Sequence, residues 1–366
     1  MKKENLIGFI GLGLIGGSIA KRIRKKYPAA EMIAFDKDTD SLKEAVREGV
    51  INQAYESLDP EFADCRLIFL CAPVSSNLEY LSRLKAMGIK ECLITDVGSV
   101  KEPVQAAVDQ LNLEAYFMGG HPMVGSEKTG YANSTDILIE NAYYFLTPSS
   151  ESDFALTARF SSFIQGLGAI PVTLSPAEHD YFTAAISHVP HIMACELVHL
   201  VRRADRSNGM LKQLAAGGFK DITRIASSSP IMWKQICSIN APHIKTLLEN
   251  VIQDMQEMIR QLDGRNEAYV EEYFRSAKEY RDSVPKNATG LFKKVSRIYV
   301  NIPDEPGTLA TVASLLAFNG ISIKNIGINH NREFEEGVLE IMFYDEETCR
   351  KSAEILEERN YQVKVR

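Results

Sequence analysis

The run Gly8-Phe9-Ile10-Gly11-Leu12-Gly13-Leu14-Ile15-Gly16-Gly17-Ser18 follows a short apolar stretch and opens a helical pattern, and Asp36 stands twenty residues beyond Gly16. This Gly-x-Gly-x-x-Gly spacing predicts a dinucleotide site, because each glycine has a separate task. Gly11 permits the tight turn after a strand at 6–10, Gly13 lets the backbone approach a pyrophosphate with no Cβ in the way, and Gly16 lets the helix lie close on the sheet. The free N–H groups at the helix start, Leu14, Ile15 and Gly16, then face the anion. A second strand at 31–35 ends at Asp36, where the adenosine ribose would lie. A carboxylate there accepts from both ribose hydroxyls and repels a 2′-phosphate, which favours NAD over NADP. Lys2 and Lys3 before an apolar stretch also suggest a secretory signal, but five glycines in eleven residues suit such a segment poorly and leave Asp36 unexplained.

With 366 residues, 45% hydrophobic and 24% charged, the chain is long enough for two or three domains, each with its own core. The net charge of -7 is spread over both signs, which makes nucleic acid and anionic membrane poor partners. No uninterrupted apolar run approaches the roughly 18 residues a membrane helix needs. The six cysteines (65, 71, 92, 195, 237, 349) contain no Cys-x-x-Cys pair and lie largely in apolar runs, the pattern of reduced thiols in a cytoplasm. No metal site is expected.

After Asp36, strands at 67–71 and 92–95 alternate with helical patterns at 41–48 and 77–87, and further strands are expected at 142–147 and 169–174. This alternation predicts a Rossmann-like, doubly wound α/β domain over 1–174, a parallel sheet covered on both faces. Ligands collect at the carboxyl ends of such strands. Ala72-Pro73-Val74, 96–101 and a loop over 119–125 therefore form the expected crevice rim. From Ser175 strand patterns vanish, and an all-α domain for substrate binding and dimerisation is expected over 175–284, with apolar surfaces at 186–202 and 239–262 suited to a second subunit. Turn formers at 285–294 read as a linker. The tail, 295–366, runs strand, helix, strand, strand, helix, strand, a ferredoxin-like βαββαβ order.

His121, in the glycine-rich rim loop, is the leading proton acceptor, since a neutral imidazole takes a proton near pH 7. Its alternative is a turn-capping histidine. Ser99 either bonds a substrate hydroxyl or that imidazole, or caps the following helix. Glu127 is a carboxylate behind the histidine or a solvated helix-start acid. His188 and His191, three apart, invite a metal, but no third ligand follows at metalloenzyme spacing; a pocket-lining pair and a buried, backbone-bonded pair both remain open. Asp221 and Arg224, three apart, either hold a guanidinium in position for a carboxylate ligand or form a surface ion pair.

Together Gly11-x-Gly13-x-x-Gly16, Asp96-Val97-Gly98-Ser99-Val100-Lys101, Gly120-His121-Pro122-Met123-x-Gly125-x-Glu127, Ser187-His188-x-Pro190-His191 and Gly218-Phe219-x-Asp221-x-x-Arg224 resemble prephenate dehydrogenases over residues 1 to about 280. The tail, with Asp304-x-Pro306-Gly307 and Asn319-Gly320-Ile321-Ser322-Ile323, resembles an ACT regulatory domain. The resemblance implies oxidative decarboxylation of prephenate to 4-hydroxyphenylpyruvate, carbon dioxide and NADH in tyrosine biosynthesis. His121 would accept the C4 hydroxyl proton while Ser99 orients that hydroxyl. Arg224 would grip the substrate with Asp221 aligning it, and His191, His188 and His179 would line the pocket with Trp233 behind. An aromatic amino acid, tyrosine first, would bind the tail near Asn319, Gly320 and Ile321, and the chain would be a homodimer. Rivals are an arogenate dehydrogenase, a β-hydroxyacid dehydrogenase, which would lean on a lysine in the helical domain, and an amino-acid-sensing NAD-binding protein.

Overall fold

Strand β1 (Leu6–Ile10) and β2 (Glu31–Phe35) flank the glycine turn and pair in parallel, Leu6 opposite Glu31 through Ile10 opposite Phe35. The structure is a computed structural model that describes residues 6–89, 91–124, 128–150, 154–205, 209–284, 296–303, 305–329 and 336–365. Helix α1 (Leu14–Lys26) follows β1, and α2 (Thr39–Arg47) follows β2, its start held by the Asp38 side chain accepting from Asp40 and Ser41 N–H groups. Next come β3 (Gln53–Tyr55), β4 (Leu67–Leu70), α3 (Val74–Ala86), β5 (Leu93–Asp96), α4 (Glu102–Gln110), β6 (Phe117–Pro122), β7 (Tyr143–Pro148), α5 (Phe154–Gly166) and β8 (Ile170–Thr173). They form one sheet in the order β3-β2-β1-β4-β5-β6-β7-β8.

Alternate residues of the central strands serve opposite cores. Phe9 and Phe69 stack with ring centroids 5.2 Å apart beneath α1, α2 and α5, whereas Ile10, Ile68 and Leu70 meet Leu81, Leu84, Val104 and Val108 of α3 and α4. The sheet is doubly wound as expected, with two corrections. It is mixed rather than parallel, because β7 runs antiparallel to β6 and β8 follows β7 in direction. Residues 119–122, expected as loop, belong to β6, since pairing along β7 imposes a strand that Gly-Gly-His-Pro would not choose alone. The edge strand β3 is also additional to the expected set.

Ser175 opens the helical part with a capping box, its hydroxyl accepting from Glu178 N–H while Glu178 accepts from Ser175 N–H. Helix α6 (Pro176–Thr183) passes through a π-helical turn, Ala184–His188, into α7 (Val189–Ala204). Pro190 has no N–H to donate one turn back, so a locally widened register meets the chain there. This 29-residue stretch is long and apolar enough to cross a membrane by length and composition. Five of its polar residues, His179, Asp180, Thr183, His188 and His191, are buried within the protein, while Glu178, Glu196, His199, Arg202 and Arg203 are exposed. Then follow α8 (Met210–Leu214), α9 (Gly217–Thr223), α10 (Pro230–Ile239), α11 (Ala241–Asp263) and α12 (Glu267–Ser283). Several large apolar side chains of these helices stay exposed, Ile222 at 62% and Ile231 at 72% among them.

Residues 1–288 form one compact unit and 289–366 another. The expected linker, 285–294, lies outside the described residues. The second unit contains β9 (Arg297–Pro303), α13 (Thr308–Phe318), β10 (Asn325–Asn329), β11 (Glu336–Met342), α14 (Glu346–Glu357) and β12 (Val363–Val365). The sheet order β10-β11-β9-β12, antiparallel throughout, is the ferredoxin-like arrangement of a βαββαβ chain.

The glycine turn has no spare volume on its protein side. A Cβ at Gly16 would lie 2.4 Å from the Gly11 carbonyl oxygen and 2.9 Å from Cys71 Cβ. Gly16→Ala is expected to lower stability by about 1–3 kcal/mol through overpacking. Thermal melts without cofactor test this, and an unchanged Tm would show that α1 can lift off the sheet at no cost.

Candidate active site

The carboxyl ends of β1, β4, β5 and β6 line one rim, and β6 lies three strand spacings, about 14 Å, from β1. At the β1 end, Gly11 N–H donates to Phe35 O at 2.8 Å. Asp36 receives Leu12 N–H at 2.5 Å on Oδ2 and Asp38 N–H at 2.8 Å on Oδ1, so its carboxylate is docked on the glycine turn. A Cβ built on Gly13 meets open space, unlike those at Gly11 and Gly16, so the protein leaves clear the approach at which a pyrophosphate comes closest. Helix α1 starts with no side-chain cap, which leaves the first-turn N–H groups of Leu14, Ile15 and Gly16 for an anion. Ala72 and Pro73 follow β4, and Val74 opens α3, also uncapped by a side chain. Because β1 sits between β2 and β4, this is the point where the sheet changes winding direction, where dinucleotides bind in such folds. The residues present fit a dinucleotide.

At the other end of the rim, His121 lies on β6 opposite Phe145 of β7. Its Nδ1 is 2.8 Å from His179 Nε2, and His179 Nδ1 is 2.7 Å from Asp180 Oδ1. Asp180 also accepts from the N–H groups of Lys101 at 2.7 Å and Glu102 at 2.8 Å, where α4 begins. Helix α6 of the second lobe thus reaches the first turn of a helix in the first. Beneath β6, the Lys101 ammonium pairs with Asp96 and donates to Gly120 O at 2.7 Å, while Asp96 accepts from Gly98 N–H at 3.0 Å and Gly120 N–H at 3.2 Å.

Burial sets the protonation of this group. His121 is held well below the ordinary imidazole range by desolvation, then by the neighbouring His179, Lys101 and His188. Desolvation lowers His188 to about 4 and pushes His179 down with it. All three are therefore neutral near pH 7. Burial raises Asp180 while the two backbone bonds from α4 oppose that rise, and burial lowers Lys101 while Asp96 opposes the fall.

A second cluster adjoins the first. His191 stacks on Trp233 with centroids 3.6 Å apart, and His188 meets the same indole edge-on at 5.9 Å. Asn240 donates to Asp180 O at 2.8 Å and lies 3.1 Å from His188 Nδ1. The Trp233 indole N–H is buried without a partner among the described residues. Among the described residues no group of three His, Cys, Asp or Glu side chains is placed to hold a metal.

Other expected residues fall elsewhere. Ser99 is half-buried with no hydrogen-bond partner among the described residues, and it does not cap α4, whose N-cap is Lys101. Glu127 and Gly125 lie outside the described residues. Asp221 and Arg224 are both exposed and form no ion pair with each other or with any other described residue. Helix α9 ends between them, and full hydration offers no incentive to join, because exposed pairs contribute at most about 1 kcal/mol. His179 does not line open space: it is fully buried and both ring nitrogens have protein partners. In the tail, the N–H groups of Asn319, Gly320 and Ile321 close α13 on its own carbonyls, the Asn319 side chain donates to Leu315 O at 2.8 Å, and Ile321 packs into the core. That turn spends its donors on the helix end rather than on a ligand. The residues without an expected role that the structure brings in are Asp96, Lys101, Asp180 and Asn240.

Two family models match in succession, the prephenate dehydrogenase nucleotide-binding domain over residues 19–172 and the prephenate dehydrogenase dimerization domain over residues 175–276. The chain belongs to the prephenate dehydrogenase family. The prephenate dehydrogenase of Bacillus subtilis is 38% identical over 358 residues, 97% of this chain and 96% of that protein. Among solved structures, the Aquifex aeolicus prephenate dehydrogenase in complex with hydroxyphenyl propionate and NAD+ has a TM-score of 0.72 at 28% identity, covering 77% of this chain and all but 1% of its own, as its 99% coverage states. Synechocystis arogenate dehydrogenase follows with a TM-score of 0.68 at 27% identity, covering 76% of this chain and 100% of that one.

The buried histidines of this prephenate dehydrogenase family member carry a pH signature. His188 is depressed from 6.5 to about 4 in the folded chain, so its contribution is fully present above the unfolded value and is lost as pH falls through the folded one. The Tm is expected to drop between about pH 6.5 and pH 4, with a shallower slope in His188→Gln. Equal slopes for parent and variant in melts across that window would contradict a buried neutral imidazole.

Proposed function

We propose that the chain is an NAD-dependent oxidoreductase that converts prephenate to 4-hydroxyphenylpyruvate, carbon dioxide and NADH, the oxidation leading towards tyrosine. The observation that carries this reading is the state of His121: a neutral imidazole on the cofactor rim whose Nδ1 is committed to His179, which leaves Nε2 as the nitrogen for substrate. NAD supplies the hydride acceptor. The glycine turn and α1 hold the pyrophosphate and Asp36 the adenosine ribose, with Ala72, Pro73 and Val74 along the adjoining strand end. His121 takes the proton from the C4 hydroxyl, which Ser99, with its free hydroxyl, orients. Arg224 is the guanidinium for a substrate carboxylate, flanked by Asp221, and its lack of an ion pair leaves it available. His188 and His191 with Trp233 form a wall of the pocket, and Glu127 is the carboxylate assigned to it from the sequence. Loss of carbon dioxide follows from aromatisation of the ring, which makes it strongly downhill without a Schiff base.

Arogenate, with an amino group in place of the side-chain keto oxygen, is the second reading, favoured by the near-equal likeness to the Synechocystis enzyme. Following NADH absorbance with each substrate separates them. His121→Asn is expected to lower kcat by about 10² to 10⁴ with little change in KM, the range for losing a positioned base. Near-parental turnover would remove His121 from that role.

The exposed apolar side chains of the helical lobe support a homodimer built on it, and six free thiols suit a cytoplasmic protein. The ferredoxin-like tail is read as an ACT domain that senses an aromatic amino acid. Its α13 and the end of α14 border a cleft of about 640 Å³ lined by Thr311, Ser314, Leu315, Phe318, Arg359 and Tyr361, which offers an aromatic wall and a cation for a carboxylate. Titration calorimetry with tyrosine should show binding that weakens when prephenate is present, as reciprocity demands. No heat with tyrosine, phenylalanine or tryptophan would exclude this regulation.

A further inference from the structure

We propose that Asp180, acting through His179, fixes the ring tautomer of His121 so that its Nε2 lone pair is always the one offered to substrate; His179 and Asp180 are positioning residues. The inference rests on the reading of His121 as base and follows from donors and acceptors. The backbone N–H groups of Lys101 and Glu102 can only donate, and they occupy both oxygens of Asp180 at 2.7 and 2.8 Å. They belong to the first turn of α4, where the helix dipole favours negative charge. Asp180 is thereby held as the anion, an acceptor only. The contact of 2.7 Å between Asp180 Oδ1 and His179 Nδ1 then requires the proton on His179 Nδ1. A neutral His179 has its lone pair on Nε2, so the 2.8 Å contact requires the proton on His121 Nδ1. Neutral His121 is left with a bare Nε2.

Each link is buried. His179 and Asp180 are both 0% exposed, so water cannot substitute for a missing partner. The other charged and titratable groups around His121 do not compete for its nitrogens. From the β5 to α4 segment, the Lys101 ammonium is spent on Asp96 and on Gly120 O. From the π-helical turn, His188 is bonded to Asn240. From β7, Phe145 presents an apolar ring edge at 6.2 Å. When substrate oxidation delivers its hydroxyl proton, the O–H bond breaks and the Nε2–H bond forms. The imidazolium so produced keeps its Nδ1–H on His179, two hydrogen bonds from the Asp180 carboxylate, and no other proton need move. The chain of acceptors therefore both selects the base form and stabilises the acid form that follows.

The test pairs two substitutions that differ only in whether they keep an acceptor at the position of His179 Nε2. His179→Gln presents a side-chain carbonyl to His121 Nδ1, and His179→Phe presents none. Steady-state kinetics with prephenate and NAD should show kcat falling less than about 10-fold in the glutamine variant. In the phenylalanine variant it should fall by about 10² to 10³, towards the cost of a wrong tautomer in a histidine-based site. KM should stay within about 3-fold in both, since neither change touches the substrate pocket. Equal kcat for the two variants would overturn the proposal. Because removing a buried histidine can impair folding, the tautomer is also read directly in the parental enzyme labelled with ¹⁵N-histidine, assigning His121 by the signals lost in His121→Asn. A protonated Nδ1 and bare Nε2 are expected, and the opposite tautomer overturns the relay. Undiminished turnover in His121→Asn would defeat the base reading instead, while the nitrogen shifts would still report the relay.

Discussion

The carboxylate of Asp180 is the constraint on which the site depends. It stands at the head of α6, in the helical lobe, and takes the first N–H groups of α4, in the nucleotide-binding lobe. A helix start needs acceptors, and here the acceptor comes from a different lobe. The bond therefore does two things at once: it terminates α4, and it fixes how far α6 stands from β6. His179, the preceding residue, consequently meets His121 at hydrogen-bond distance without any long flexible side chain between them. A second tie, His243 of α11 to Glu102 at 2.7 Å, reinforces the same junction from its exposed side.

Beneath that junction lies a buried ion pair, Lys101 with Asp96, whose members are 1% and 0% exposed. Such pairs seldom add net stability, because desolvation consumes most of the Coulomb attraction, but removing one partner costs about 3–5 kcal/mol. Its value here is geometric. The ammonium also grips Gly120 O, and Asp96 grips Gly120 N–H, so the residue before His121 is clamped on both sides. Desolvation first, with the His179 and Lys101 charges adding to it, keeps the His121 imidazole neutral. Arrangement is thus set by the buried charges, and protonation chiefly by the burial itself.

Much of this was legible in the chain and some was not, for identifiable reasons. The strands at 6–10 and 31–35 were readable because a short apolar run leading into the glycine turn, and a second one ending at Asp36, act locally. Strand β6 was not, since Gly-Gly-His-Pro has little strand propensity and takes its form from pairing with β7. The nucleotide end of the crevice could be placed from spacing alone. The histidine end could not, because His121 and His179 are 58 positions apart and nothing in either segment encodes their meeting. The adjacency of His179 and Asp180 just inside a capped helix was the available signal. Asp221 and Arg224 illustrate the opposite error, in which correct helical spacing suggests a contact that solvent has no reason to allow.

The π-helical turn at Ala184–His188 has an angular consequence. Twelve residues along a regular α-helix rotate a side chain by about 120° beyond whole turns, so His179 and His191 would face markedly different directions. The one extra residue accommodated by a π-turn removes about 100° of that offset and brings the two imidazoles to within about 20° of a common azimuth. A lineage in which this turn tightened to regular α-helix with all its residues kept would retain every histidine, yet would swing its second cluster by about 100° away from the first. The hydrogen-bond register of that turn is therefore as much a part of the enzyme's chemistry as any side chain it carries.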